Sequence, residues 1–168
     1  MLKINVAVVG AGIIGADVAL DLSINGYKVL LKDLSAILMD VALTRIRNSY
    51  RFTKMMSKKE SIPPLDGVLD NIVTTLDYSG FETIDLVIEN ITENYEAKKN
   101  VFSELRNVCH EDVIYGVNTS CISITKIAAL MPKPENVIGL HFMNPVPMSK
   151  LVEVVRGCHT SDKTTDLM

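Results

Sequence analysis

The sequence predicts a doubly wound α/β fold, a mostly parallel sheet with helices on both faces. Three observations predict it. Short apolar runs alternate along the chain with stretches of helical spacing, as successive βαβ units require. The first run, 4–9, is β-branched and apolar enough for a parallel strand buried on both faces. A glycine-rich turn joins that run to the first helical stretch, and right-handed crossovers would then stack the helices on either side.

The elements follow in order. After the strand at 4–9, residues 13–24 carry apolar side chains at helical spacing, with Asp17 and Asp21 on the opposite face. A second strand at 27–31 ends in Lys32-Asp33. A long helix is expected from Ser35 to about Lys59, and Pro63-Pro64 stops any continuation. Short strands are expected at 72–75 and 86–88, a helix at 93–108 and a strand at 113–117. A helix at 124–130 is ended by Pro132, and 137–140 and 151–155 are the last strands. Residues 160–164 have the pattern of a helix N-cap with its first turn. The expected organisation is one nucleotide-binding domain over 1–168, with 160–168 the start of a truncated C-terminal domain.

Composition narrows the function classes. Of 168 residues 48% are hydrophobic and 22% charged, which suits a globular domain with a sizeable core. The net charge is −3 and no basic run tracks a nucleic acid; the densest basic patch, 54–59, reads as the solvated end of a helix. Cys109, Cys121 and Cys158 show no CxxC spacing, so reduced thiols in a cytoplasmic protein are expected. No apolar run approaches the roughly 20 residues that span a bilayer, and no charged leader precedes the first strand. Neither a membrane, nor a nucleic acid, nor a metal is an expected partner.

Gly10-Ala11-Gly12-Ile13-Ile14-Gly15 forms a G-x-G-x-x-G run. Alone such a run is weak, but here it follows a strand, opens a helix and precedes a second strand ending in Asp33, 18 residues after Gly15. Gly10 allows the tight turn, Gly12 lets backbone approach a pyrophosphate, and Gly15 lets helix and strand pack closely. The helix start, with Ile13 and Ile14, offers unpaired N–H groups and a positive dipole end to phosphates. This is the Rossmann-type dinucleotide site. Asp33 is placed to accept bonds from ribose hydroxyls and would repel the extra phosphate of NADP, so NAD is the expected cofactor, with Lys32 beside it tempering that choice. The plainer readings are a strand–helix turn that binds nothing and an Asp33 that caps the helix at Ser35.

The second constellation lies near the far end. His141 ends one apolar segment and Glu153 sits within the next, in the runs Gly-Leu-His-Phe-Met-Asn-Pro (139–145) and Glu-Val-Val-Arg-Gly (153–157). On neighbouring strands, the carboxylate can hold the imidazole in one tautomer and raise its basicity, as needed to take a proton from an alcohol. With a nucleotide signature in the same chain, the pair points to alcohol oxidation or ketone reduction with a nicotinamide. Ser120, after Asn118-Thr119, lies at a strand's carboxyl end, where open α/β sheets bind ligands; it could also be a helix N-cap.

These motifs, together with Val87-Ile88-Glu89, Glu93 and Lys98, resemble the N-terminal NAD-binding domain of the 3-hydroxyacyl-CoA dehydrogenases, including the bacterial 3-hydroxybutyryl-CoA enzymes. The resemblance runs in order over essentially the whole chain. It implies that His141 is the acid–base group and Glu153 its orienting partner. It implies that Ser120 and Asn144 hydrogen-bond the reacting oxygen or the imidazole. Glu93 and Lys98 would line the NAD site near the nicotinamide ribose, and Asn118 would join them. The plainer reading of Glu93 and Lys98 is a pair of exposed charges early in a helix. Cys121 reads as a packing choice rather than a nucleophile.

The chain departs from the family in two respects. The family's helical C-terminal domain, which completes the acyl pocket, contributes another asparagine and forms the homodimer, has no counterpart in these residues. The region 46–64 departs from the helical hairpin with which relatives meet coenzyme A; Arg45, Arg47, Arg51 and Lys54 could meet phosphates or form a solvated face. Phe142-Met143-Asn144 and the run 156–161 also resemble a branch acting on groups tethered to an acyl carrier protein, as in supply of hydroxymalonyl or methoxymalonyl extender units for polyketides. The expected function is NAD-dependent interconversion of a 3-hydroxyacyl thioester and its 3-oxoacyl thioester, on CoA or on that carrier. The alternatives are an enzyme of free hydroxy acids, whose kind often uses a lysine instead of the histidine–glutamate pair, and a non-catalytic NAD-binding protein.

Overall fold

The computed structural model describes residues 4–56, 62–149 and 151–168. Seven strands form one sheet: β1 (Val6–Val9), β2 (Val29–Lys32), β3 (Ile72–Thr75), β4 (Leu86–Glu89), β5 (Ile114–Val117), β6 (Val137–Phe142) and β7 (Val152–Arg156). Their spatial order is β3-β2-β1-β4-β5-β6-β7, with every pair parallel except β6 and β7. Chain direction along the sheet therefore switches between β1 and β4, and ligands of such sheets bind at that switch, beyond the carboxyl ends of the strands.

Period-two alternation divides the core between the two faces. Val6 and Val8 pack with Leu20, Leu31, Ile46 and Leu140 on one side. Ala7 and Val9 pack with Phe102, Tyr115, Val117 and Ile127 on the other. The first face is covered by α1 (Ile13–Ile24) and α2 (Ala36–Met56), the second by α4 (Tyr95–Val108) and α5 (Ile124–Ala128). Two short helices complete the fold, α3 (Leu65–Leu69) and α6 (Asp162–Leu167).

Most elements fall where their patterns place them, and the differences have local causes. Asp17 does not lie on a solvated face of α1. It is 1% exposed and receives Nε and Nη2 of Arg45 at 3.2 and 2.9 Å and the Ser49 hydroxyl at 2.9 Å. Arg45 is thereby tied between α1 and α2, while Arg47, Arg51 and Lys54 stay exposed. Pro63-Pro64 does more than end a helix: Pro64 starts the single turn α3, which sequence periodicity is too short to reveal. The last residues of the expected long helix, 57–59, lie outside the described residues. α4 begins after Asn94, whose side chain accepts from the Ala97 N–H, so Glu93 sits in the preceding loop rather than in the helix. Ser161 caps α6 by accepting from the Thr164 N–H. No helix among the described residues is long and apolar enough to cross a membrane.

Candidate active site

The glycine turn is shaped by its neighbours. Gly10 has φ 92°, and a Cβ there would meet the Asn90 backbone at 2.8 Å. A Cβ on Gly15 would stand 1.8 Å from the Gly10 carbonyl oxygen, so only glycine lets α1 pack on the turn. Gly12 differs. It is exposed and a Cβ there would meet nothing within 4 Å, so the protein itself gives no reason for a glycine. A pyrophosphate approaching the backbone does. Gly12 also starts α1 without any side-chain cap, leaving the helix's first N–H groups, those of Ile13 and Ile14 among them, open to phosphates.

Asp33 follows β2 and closes this turn from the side. Its Oδ2 accepts from the Ala11 N–H at 2.7 Å and its Oδ1 from the Leu34 N–H at 2.6 Å. The helix cap is Ser35, whose hydroxyl accepts from the Leu38 N–H at 3.3 Å, so Asp33 is not spent as a cap. Lys32 points elsewhere: it is 5% exposed, with its ammonium 4.6 Å from the centroid of the Tyr78 ring. Asp33 is thus the charged side chain beside the glycine turn, and the residues present fit NAD.

At the other side of the switch point, antiparallel pairing of β6 with β7 sets His141 directly opposite Glu153. Nδ1 of His141 lies 2.7 Å from Glu153 Oε2, and Nε2 lies 3.0 Å from Ser120 Oγ. A carboxylate only accepts, so Nδ1 carries the proton of the neutral ring and Nε2 is left as the acceptor. Ser120 is free for this contact because the cap of α5 is Ser123, which accepts from the Lys126 N–H. Both ring nitrogens are therefore engaged, so of the two partners expected for Asn144, the reacting oxygen or the imidazole, the imidazole is already taken by Ser120 and Glu153. Asn144 is exposed on the loop after β6, next to Pro145.

One carboxylate holds the loop that carries Ser120. Glu93 Oε1 accepts from the Thr119 hydroxyl at 2.5 Å, the Ser120 N–H at 3.0 Å and the Cys121 N–H at 3.2 Å. Burial acts to raise its pKa, but the bonds from Thr119, Cys121 and Ser120 outweigh it and hold Glu93 below its ordinary value. The Cys121 thiol donates to the same oxygen at 3.4 Å, and that bond, aided by the negative charge, raises the thiol's pKa. A thiol so placed is a poor nucleophile.

Lys98 departs from the cofactor-lining role. Its side chain has no exposed surface, as has that of Glu89, and Nζ donates to Glu89 Oε1 and Oε2 at 2.7 and 2.8 Å and to the Asn118 carbonyl at 2.9 Å. Those three bonds use all of its protons. The reason is positional: Lys98 lies one turn into α4 on the face packed over the ends of β4 and β5, where a charge must find a buried partner. Asn118 likewise turns inward. Its Nδ2 donates to Asn90 Oδ1 at 2.9 Å, and its Oδ1 accepts from the Phe142 N–H at 3.3 Å. From sequence Glu89 entered only as part of the family-like run Val87-Ile88-Glu89, with no role of its own, and Asn90 was not singled out; the available signal was a carboxylate ending an otherwise apolar strand.

Known proteins resemble this chain in sequence and in fold. The family described as 3-hydroxyacyl-CoA dehydrogenase, NAD binding domain, matches residues 5–168. A fatty acid oxidation complex subunit alpha from Acinetobacter baumannii is 39% identical over 158 residues, which are 94% of this chain and 22% of that protein. The crystal structure of (S)-3-hydroxybutyryl-CoA dehydrogenase from Ralstonia eutropha matches with TM-score 0.89 and 35% identity, covering 97% of this chain and 57% of that one. The 3-hydroxybutyryl-CoA dehydrogenase from Escherichia coli K12 matches with TM-score 0.87 and 37% identity, covering 99% and 35%. The chain thus spans about a fifth to under three fifths of these relatives.

Proposed function

The chain belongs to the 3-hydroxyacyl-CoA dehydrogenase family as its NAD-binding domain, and from that premise we propose that it interconverts a 3-hydroxyacyl thioester and its 3-oxoacyl thioester. The observation that carries the reading is the linear set Ser120 Oγ, His141 Nε2, His141 Nδ1 and Glu153 Oε2, with its two contacts at 3.0 and 2.7 Å. A nucleotide-binding protein without chemistry has no use for a general base so oriented.

NAD, when bound, supplies the hydride chemistry. The chain's residues do the rest. Gly12 and the start of α1 meet the phosphates, and Asp33 meets the ribose. In the oxidative direction Nε2 of His141 takes the substrate hydroxyl proton, and Glu153, on Nδ1, stabilises the imidazolium that forms. In reduction the same Nε2 returns the proton to the oxygen as it gains charge, with the Ser120 hydroxyl within reach of that oxygen as a second donor. Asn144, exposed on the loop after β6, has its amide left for the reacting oxygen. The reading places the enzyme in the cytoplasm and, in a longer protein, as a homodimer.

The test follows NADH fluorescence as acetoacetyl-CoA, then the same acyl group on an acyl carrier protein, is added. Enhancement on mixing with the chain followed by decay on adding the CoA ester supports the reading. Faster decay with the carrier protein would move the substrate to the carrier-bound class. Enhancement with no decay on either would withdraw the catalytic assignment and leave a nucleotide-binding domain.

A further inference from the structure

We propose that the buried Glu89–Lys98 ion pair is the positioning device for the Ser120–His141 couple, acting through Asn118. Neither charged group touches the imidazole or faces solvent, so neither is a catalytic residue. Their effect is geometric. Lys98 Nζ fixes the Asn118 carbonyl, and Glu89 Oε1 fixes the chain as it leaves β4 by accepting from the Ile91 N–H at 2.7 Å. The Asn118 side chain, held at one end by Asn90, accepts at its other end from the N–H of Phe142, the residue after His141. The ends of β4, β5 and β6 are thereby fastened together immediately beneath the two residues whose 3.0 Å contact defines the proton path.

The energetics favour this role over a purely stabilising one. Two charges with no exposed surface cost desolvation that their attraction roughly offsets, and an apolar pair of the same volume would stabilise the fold as well or better. An apolar pair could not hold the Asn118 carbonyl, and a displacement of about 1 Å at a reacting group can cost about 100-fold in rate.

The test compares Lys98→Met, which strands a buried carboxylate and lowers stability, with the double variant Glu89→Leu/Lys98→Met, which removes both charges and is expected to fold. Two readouts are taken on the chain. The first is the ¹⁵N signal of the His141 ring, identified by its loss in His141→Gln; the second is NADH affinity against the rate of acetoacetyl-CoA reduction. In the double variant the Nε2 signal is expected to move to its position in Ser120→Ala. The Nδ1 signal and NADH affinity should stay at their original values, and the rate should fall about 100-fold. A double variant with unchanged Nε2 signal and rate would overturn the proposal, reducing the pair to structural filler. Loss of NADH affinity with an unchanged Nε2 signal would overturn it in favour of a direct cofactor contact. The rate rests on the dehydrogenase reading, whereas the ring signal does not, so an inactive parent chain sinks that reading and leaves the positioning device testable.

Discussion

At the scale of single residues, the site depends on which polar atom is given to which partner. Glu93 illustrates this. It is an exposed side chain, yet its bonds to the 119–121 loop hold its folded pKa below its ordinary value of 4.5. A carboxylate with a depressed folded pKa contributes stability that is complete above the unfolded value and disappears as pH falls through the folded one. Thermal melts between about pH 6 and pH 3 should therefore show the acid-side loss of stability flattened in Glu93→Gln relative to the parent. Equal slopes would show that the ionised carboxylate does not hold the loop. From local pattern Glu93 read as a charge early in a helix, and only the family resemblance gave it a place at the site; its partners lie 26–28 positions further along the chain, at a separation no local pattern encodes.

At the scale of elements, the strand–turn–helix unit at the start of the chain separates two kinds of glycine. Gly15→Ala drives a methyl group into the Gly10 carbonyl, and the resulting overpacking should cost about 3 kcal/mol or more. Gly12→Ala places its methyl group in open space, so stability should stay within about 0.5 kcal/mol while NADH affinity drops about tenfold or more. Denaturant melts with parallel NADH titrations check both, and equal stability losses would remove the distinction. This unit was legible because each glycine serves a rule of local geometry. So was the β6–β7 pair, since two apolar runs around an Asn-Pro turn set His141 opposite Glu153 as soon as they pair. The inward turn of Lys98 was not. A lysine one turn into an amphipathic helix reads as solvated, and only the packing of α4 over the ends of β4 and β5 shows which face it lies on.

At the scale of the whole molecule, the two halves of the site come from opposite sides of the switch between β1 and β4. The nucleotide turn and Asp33 stand on β1, β2 and α1; Ser120, His141 and Glu153 stand on β5, β6 and β7. The buried Glu89–Lys98 pair and Asn118 lie between them, at the ends of β4 and β5. A mostly parallel sheet covered on both faces follows from alternating strands and helices, which is why that class of architecture could be read from periodicity, whereas the strand order could not. The network joining the strand ends depends on side chains that meet only once that order exists. What the halves achieve together is settled most directly by one comparison, single-turnover oxidation of NADH by acetoacetyl-CoA in the chain and in His141→Ala, with NADH affinity measured alongside. The account predicts a rate loss of about 10²–10⁴-fold with NADH affinity within about twofold of the parent. A variant that keeps a near-normal rate would contradict the assignment of His141 as the proton-transfer group.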